Sequence, residues 1–182
     1  SNGVLPAAPS LKLENPALQV EQATWIVKNR SDGLGDDNVH SVAVDDSTIY
    51  VGTAGSRPSG IDPQSGGVAI SHDGGTSWQN MGNDSSLTVN SAKFVYLLGD
   101  TVFAGTNAGL ARSLDRGQLW EYVTVGPYNS ETRVIAASNN DIYVANLQGL
   151  YRSEQKNLSF SQIIKSDFDA GDSVRNGFVE KV

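Results

Sequence analysis

Ser71-His72-Asp73-Gly74-Gly75-Thr76-Ser77-Trp78 and Ser113-Leu114-Asp115-Arg116-Gly117-Gln118-Leu119-Trp120 carry the same Ser, Asp, Gly and Trp at the same places. A decayed third copy reads Ser153-Glu154-Gln155-Lys156-Asn157-Leu158-Ser159-Phe160. The closing aromatics, at 78, 120 and 160, stand 42 and 40 residues apart. The spacing within the octapeptide has a local physical reason. An aspartate at a turn accepts hydrogen bonds from the backbone N–H groups that follow it. Two residues on, the chain needs a positive φ, which glycine supplies and asparagine tolerates. The aromatic then packs against neighbouring strands and pins the hairpin.

Working outward, each octapeptide is led in by a matched strand: Gly67-Val68-Ala69-Ile70, Gly109-Leu110-Ala111-Arg112 and Gly149-Leu150-Tyr151-Arg152. Before these come Thr48-Ile49-Tyr50-Val51-Gly52-Thr53, Thr101-Val102-Phe103-Ala104-Gly105-Thr106 and Asp141-Ile142-Tyr143-Val144-Ala145-Asn146. Their alternation has the period of half-buried strands, with Tyr50, Phe103 and Tyr143 in register. Further upstream lie apolar strands at 39–44, 89–97 and 132–137, each joined to the next strand by a tight turn. One repeat is thus four short antiparallel strands in about 40 residues, the size of a propeller blade. The fold class this implies is all-β, a partial β-propeller.

The octapeptides resemble the Asp-box, or BNR repeat, of sialidases, xyloglucan-active glycosidases, sortilin-type receptors and photosystem assembly factors. The resemblance covers roughly residues 23 to 182. It implies that Ser71, Asp73, Gly75 and Trp78, with Ser113, Asp115, Gly117 and Trp120, are folding elements lying away from any ligand face.

Three blades are expected at about 39–81, 89–124 and 132–164. Ala23-Thr24-Trp25-Ile26-Val27-Lys28 reads as the fourth strand of an earlier blade, and 173–182 as the first strand of a later one. That makes about 3.5 blades, with residues 1–22 as an extended leader or linker. Asp-box propellers usually have six to eight blades. Either the chain belongs to a longer propeller, or a homodimer completes the split blade.

Composition narrows the function classes. The 182 residues carry a formal net charge of −7, and a pI near 4.7 disfavours nucleic acid and an anionic membrane surface. Without cysteine there are no disulfides and no thiolate metal site or nucleophile. No apolar run is long enough to be inserted into a membrane. No cofactor or metal set is implied.

Chain direction sorts the loops onto two faces. First-to-second and third-to-fourth turns share one face with the octapeptides; second-to-third loops and blade connections share the other, where propellers generally bind ligands. The second-to-third loop is two residues in repeats two and three, but spans 54–66 in repeat one. A rigid fold with one enlarged loop commonly carries function there. Arg57, a bidentate donor for carboxylate or sulfate, and Asp62 are its charged residues. The connections on that face are acidic: Asp32, Asp36, Asp37, Asp84, Glu131, Asp167, Asp169 and Asp172. Such carboxylates suit either a solvated rim or calcium.

No nucleophile lies beside a base, and the arginine set of sialidases has no match. His72 reads as solvent-facing, and His40, at the start of a first strand, as a packing or surface residue rather than a base. The expectation is a non-catalytic recognition or scaffold module for a protein or surface glycan, extracellular or periplasmic. Candidate ligand contacts are Arg57, Asp62, Asp36, Asp37 and Asp84. The alternative is part of a secreted glycoside hydrolase with its catalytic residues in other blades.

Overall fold

A computed structural model describes residues 26–55, 65–82, 86–89, 91–138 and 140–165. These form three four-stranded antiparallel sheets in series. The first holds β1 (Val39–Asp45), β2 (Thr48–Thr53), β3 (Gly67–Ser71) and β4 (Gln79–Asn80). The second holds β5 (Ala92–Leu98), β6 (Thr101–Thr106), β7 (Gly109–Ser113) and β8 (Glu121–Val123). The third holds β9 (Thr132–Ala137), β10 (Asp141–Asn146), β11 (Gly149–Glu154) and β12 (Ser161–Lys165). The order in each sheet is the chain order, so every neighbour is reached by a hairpin. The all-β class expected from the repeats is the one observed. Val89 lies ahead of β5, buried in the connection from the first sheet.

The sheets stack face to face, with β1 against β5 and β5 against β9. Two apolar seams hold them. Tyr50, Val68 and Ile70 of the first sheet meet Val95, Val102 and Trp120 of the second. Phe103 and Leu110 meet Ile135, Ile142, Val144 and Tyr151 across the second seam. Burial of each such side chain stabilises by about 1.5–3 kcal/mol. Sheet position also explains a difference in pattern. From Val102 to Thr106, β6 is buried at every residue, being covered on both faces, whereas β10 alternates because only one of its faces is covered by described residues.

The first two octapeptides form the same turn. Ser71 Oγ donates to Asp73 at 2.8 Å and accepts from the Gly75 N–H at 2.8 Å. The Asp73 carboxylate accepts from the Ser77 N–H at 2.9 Å, and Trp78 Nε1 donates to the Gly75 carbonyl at 3.1 Å. Ser113, Asp115, Gly117, Leu119 and Trp120 repeat this network. Bonds from Ser77, then Ser71, hold the Asp73 carboxyl down at about 2. Asp115 is lowered too, first by the Leu119 N–H and then by Ser113.

The third copy departs from expectation. Leu158, not Asn157, takes the positive φ, at 48°. Asn157 instead supplies the acceptor that the aspartate supplies elsewhere, taking Ser153 Oγ and the Ser159 N–H, both at 3.1 Å. Phe160 still packs into the second seam.

The described part of the expected strand at 23–28 is also corrected. Ile26–Lys28 is not in a strand; Ile26 and Val27 are exposed, and Lys28 Nζ donates to the Thr76 carbonyl at 3.2 Å. The stretch instead runs beside the first octapeptide turn as irregular chain. The expected strand at 173–182 lies outside the described residues.

Candidate functional site

Register fixes what stands opposite the octapeptide turns. The second-to-third junctions are Thr53↔Gly67, Thr106↔Gly109 and Asn146↔Gly149, all at the same end of their sheets. Each is closed by its own side chain. Thr53 and Thr106 hydroxyls donate to the Gly67 and Gly109 carbonyls at 3.1 and 2.8 Å, and Asn146 Oδ1 accepts from the Gln148 N–H at 2.8 Å. The enlarged loop therefore springs from the same face as the two short turns.

Its described ends are stitched to the segment ahead of β1. The Gly66 N–H donates to the Gly35 carbonyl at 2.9 Å, and the Ala54 N–H to the Asn38 carbonyl at 3.0 Å. Asp36 is buried between them. One carboxylate oxygen accepts from Ser65 Oγ at 3.1 Å and the other from the Asn38 N–H at 3.0 Å. Asp36 is thus not a rim carboxylate open to a ligand; it clamps the base of the loop. Just before it, Arg30–Asp32 form a 3₁₀ turn capped by Asn29 and closed by Asp32, which accepts from the Asn29 N–H at 3.0 Å.

The other two described acidic residues of these connections, Asp37 and Glu131, are separately engaged. Asp37, exposed, accepts from the Arg30 N–H at 2.8 Å. Glu131 pairs with Lys93 at 2.6 Å and lies 3.7 Å from Arg133. Among the described residues, no three His, Cys, Asp or Glu side chains come together as a metal would require. Arg57, Asp62, Asp84, Asp167, Asp169 and Asp172 lie outside the described residues. His40 and His72 are both exposed, on β1 and on the octapeptide face.

One residue on the face of these second-to-third junctions was not singled out by the sequence. Tyr128, in the connection from β8 to β9, is 70% exposed. Its neighbour Asn129 lies over the Gly109 end of β7. The signal for it was the run Gly126-Pro127-Tyr128-Asn129, turn-forming residues around an aromatic that no strand claims. Backbone junctions, an exposed phenol and well-separated charges suit contact with a polar partner.

No protein-family model matches the chain, and no curated protein matches it. Solved structures do. The extracellular domain of a putative one component system from B. thetaiotaomicron is similar over 74% of this chain and 18% of its own, with a TM-score of 0.58 and 15% identity. An ancestral GH74 enzyme matches 74% of this chain and 19% of its own, with a TM-score of 0.56 and 22% identity. The GH74 xyloglucanase from Xanthomonas campestris matches 71% and 23%, with a TM-score of 0.51 and 18% identity. The fold is a β-propeller, here a partial one. At these identities the likeness extends to the fold alone, and the chain spans about a fifth of the solved chains it resembles. Among the described residues, no helix is long and apolar enough to cross a membrane.

Proposed function

We propose that the chain is a non-catalytic recognition or scaffold module of the Asp-box type, working outside the cytoplasm. It holds a protein or surface glycan on the face that bears residues 54–66. The observation that carries this reading is the Thr53↔Gly67 junction. The enlarged loop leaves from the face of the two short turns, and its base is clamped by buried Asp36 rather than left loose. Loops held by a rigid scaffold are where binding residues concentrate. Arg57, Asp62, Asp37 and Asp84 are the charged contacts proposed, with Tyr128 as an aromatic that offers a flat apolar face and a polar tip. An extracellular domain and a xyloglucanase among the similar structures are in keeping with such a role.

The test is equilibrium binding of the protein to immobilised glycans, xyloglucan oligosaccharides among them, with reducing-end release followed in parallel. Retention that falls in Arg57→Ala, at unchanged melting temperature, supports the reading. Release of reducing ends by the chain alone would replace it with the hydrolase alternative.

A further inference from the structure

Each first strand carries a β-bulge at one and the same place. The pairing of β1 with β2 passes from Val39↔Thr53 to Ser41↔Gly52 and leaves out His40. That of β5 with β6 passes from Ala92↔Thr106 to Phe94↔Gly105 and leaves out Lys93. That of β9 with β10 passes from Thr132↔Asn146 to Val134↔Ala145 and leaves out Arg133. The chain has 13 Lys or Arg and 2 His among 182 residues, yet a cation or an imidazole stands at all three bulges. A bulge takes a residue out of the alternation between sheet faces and re-aims its side chain, which is why bulges are common beside functional sites.

The pairing also fixes where this row lies. Thr53, Thr106 and Asn146, the partners just outside each bulge, open the second-to-third junctions, so the row stands at the end of the sheets that bears residues 54–66. First strands make the largest contact between successive sheets, β1 with β5 and β5 with β9, so the bulges follow the edge along which the sheets converge.

The second and third sheets bring their two cations to one carboxylate. Lys93 Nζ pairs with Glu131 Oε1 at 2.6 Å, and Arg133 Nε lies 3.7 Å from the same oxygen, too far for a hydrogen bond. Two cations thus face one anion. Among the described residues, neither the Arg133 guanidinium nor the His40 imidazole has a hydrogen-bond partner, and both reach solvent. Three residues before Glu131, no more than about 11 Å of extended chain away, stands exposed Tyr128.

We propose that this row, centred on Lys93 and Arg133, is a binding site for the carboxylate of an acidic oligosaccharide, a chain of uronic-acid residues. It rests on the glycan-binding reading above and names the class of glycan. The Arg133 guanidinium offers a carboxylate two parallel N–H bonds, and Lys93 adds a point charge. Glu131 holds the place of that carboxylate in the free protein and competes with it. Tyr128 supplies the flat apolar face on which a sugar ring can lie, which favours a sugar over an acidic peptide.

The experiment is calorimetric titration of the full chain with tri-galacturonate, its carboxyl-reduced neutral counterpart, xyloglucan oligosaccharide and hexaglutamate, at low and high salt. Tri-galacturonate should bind about tenfold or more tighter than its neutral counterpart and lose that margin as salt screens the charges. Arg133→Ala and Tyr128→Ala should each weaken it by about tenfold, with circular dichroism and melting temperature showing the fold intact. Lys93→Gln reads the same site independently and should act in the same direction. Glu131→Gln should strengthen binding, a sign that a merely structural ion pair would not give. The proposal is overturned by a neutral counterpart bound as tightly as the acid, by Arg133→Ala binding like the wild type, or by hexaglutamate bound as tightly as the sugar. The two readings fail separately. Xyloglucan binding that falls in Arg57→Ala but not in Arg133→Ala keeps the glycan module and overturns the acidic site. Tri-galacturonate binding that falls in Arg133→Ala but not in Arg57→Ala keeps the acidic site and removes the role of residues 54–66.

Discussion

Gly117 lies directly against Ile70 of the preceding sheet: a Cβ added to it would run into Ile70 Cδ1. It also has a positive φ of 94°, so substitution meets both backbone strain and a buried neighbour. Gly74, at φ 68°, has open space where its Cβ would stand. Gly74→Ala should therefore cost only the left-handed penalty, about 1–2 kcal/mol. Gly117→Ala should cost about 1–3 kcal/mol beyond that, because the Ile70 side chain must shift within a filled seam. Equilibrium unfolding of the two variants measures the difference, and equal losses would contradict the packing.

Ser113 does two jobs with one hydroxyl, donating to Asp115 at 2.7 Å and accepting from the buried Gly117 N–H at 2.8 Å. Ser113→Ala leaves that N–H without its partner. The expected loss is about 1–3 kcal/mol. Thermal unfolding should show a melting temperature lower by several degrees, roughly 2–4 °C per kcal/mol for a chain of this size.

Stability should also report the aspartates of these turns. The Asp73 pKa falls from 3.8 to about 2 on folding, so the folded protein favours the ionised form. That contribution is fully present above pH 3.8 and is lost as pH drops through about 2. The Asp115 shift has the same sign. Melting temperature followed downward from pH 5 should fall less steeply in Asp73→Asn than in the wild type. Parallel curves would show that the carboxylate takes no part.

Asp36 and Asp37 are adjacent but should behave differently. Removing the buried Asp36 carboxylate frees Ser65 and the Asn38 N–H, so Asp36→Ala should destabilise by about 1–3 kcal/mol. The exposed Asp37 carboxylate accepts from the Arg30 N–H, and Asp37→Ala, which keeps the backbone carbonyl that takes the Val39 N–H, should change stability by less than about 0.5 kcal/mol. Chemical denaturation of the pair decides it.

The blades were legible because repetition makes each turn vouch for the next. Gly75 and Gly117 announce positive φ, and Tyr50 and Phe103 announce a buried face. The third turn was less so, since Asn157 could serve either as the left-handed residue or as an acceptor, and the chain alone does not choose. Of the site, the sequence located the loop and its face. It did not reveal that Asp36 is consumed internally, for its partner Ser65 lies 29 residues away across an insertion. Nor did it pair Lys93 with Glu131, 38 residues apart on neighbouring sheets. Charges read along a chain are surface until tertiary contact says otherwise.

The second octapeptide turn is tied to the sheet before it as well as to its own: Arg116 pairs with Asp45, and the Tyr50 hydroxyl donates to the Arg116 carbonyl at 3.4 Å. Each sheet's stability therefore includes a share lent by its neighbour, as in linear repeat proteins. Among the described residues, the second sheet packs against both of the others. Amide hydrogens of β6, buried from Val102 to Thr106, should exchange with solvent more slowly than those of β10, where buried and half-buried residues alternate.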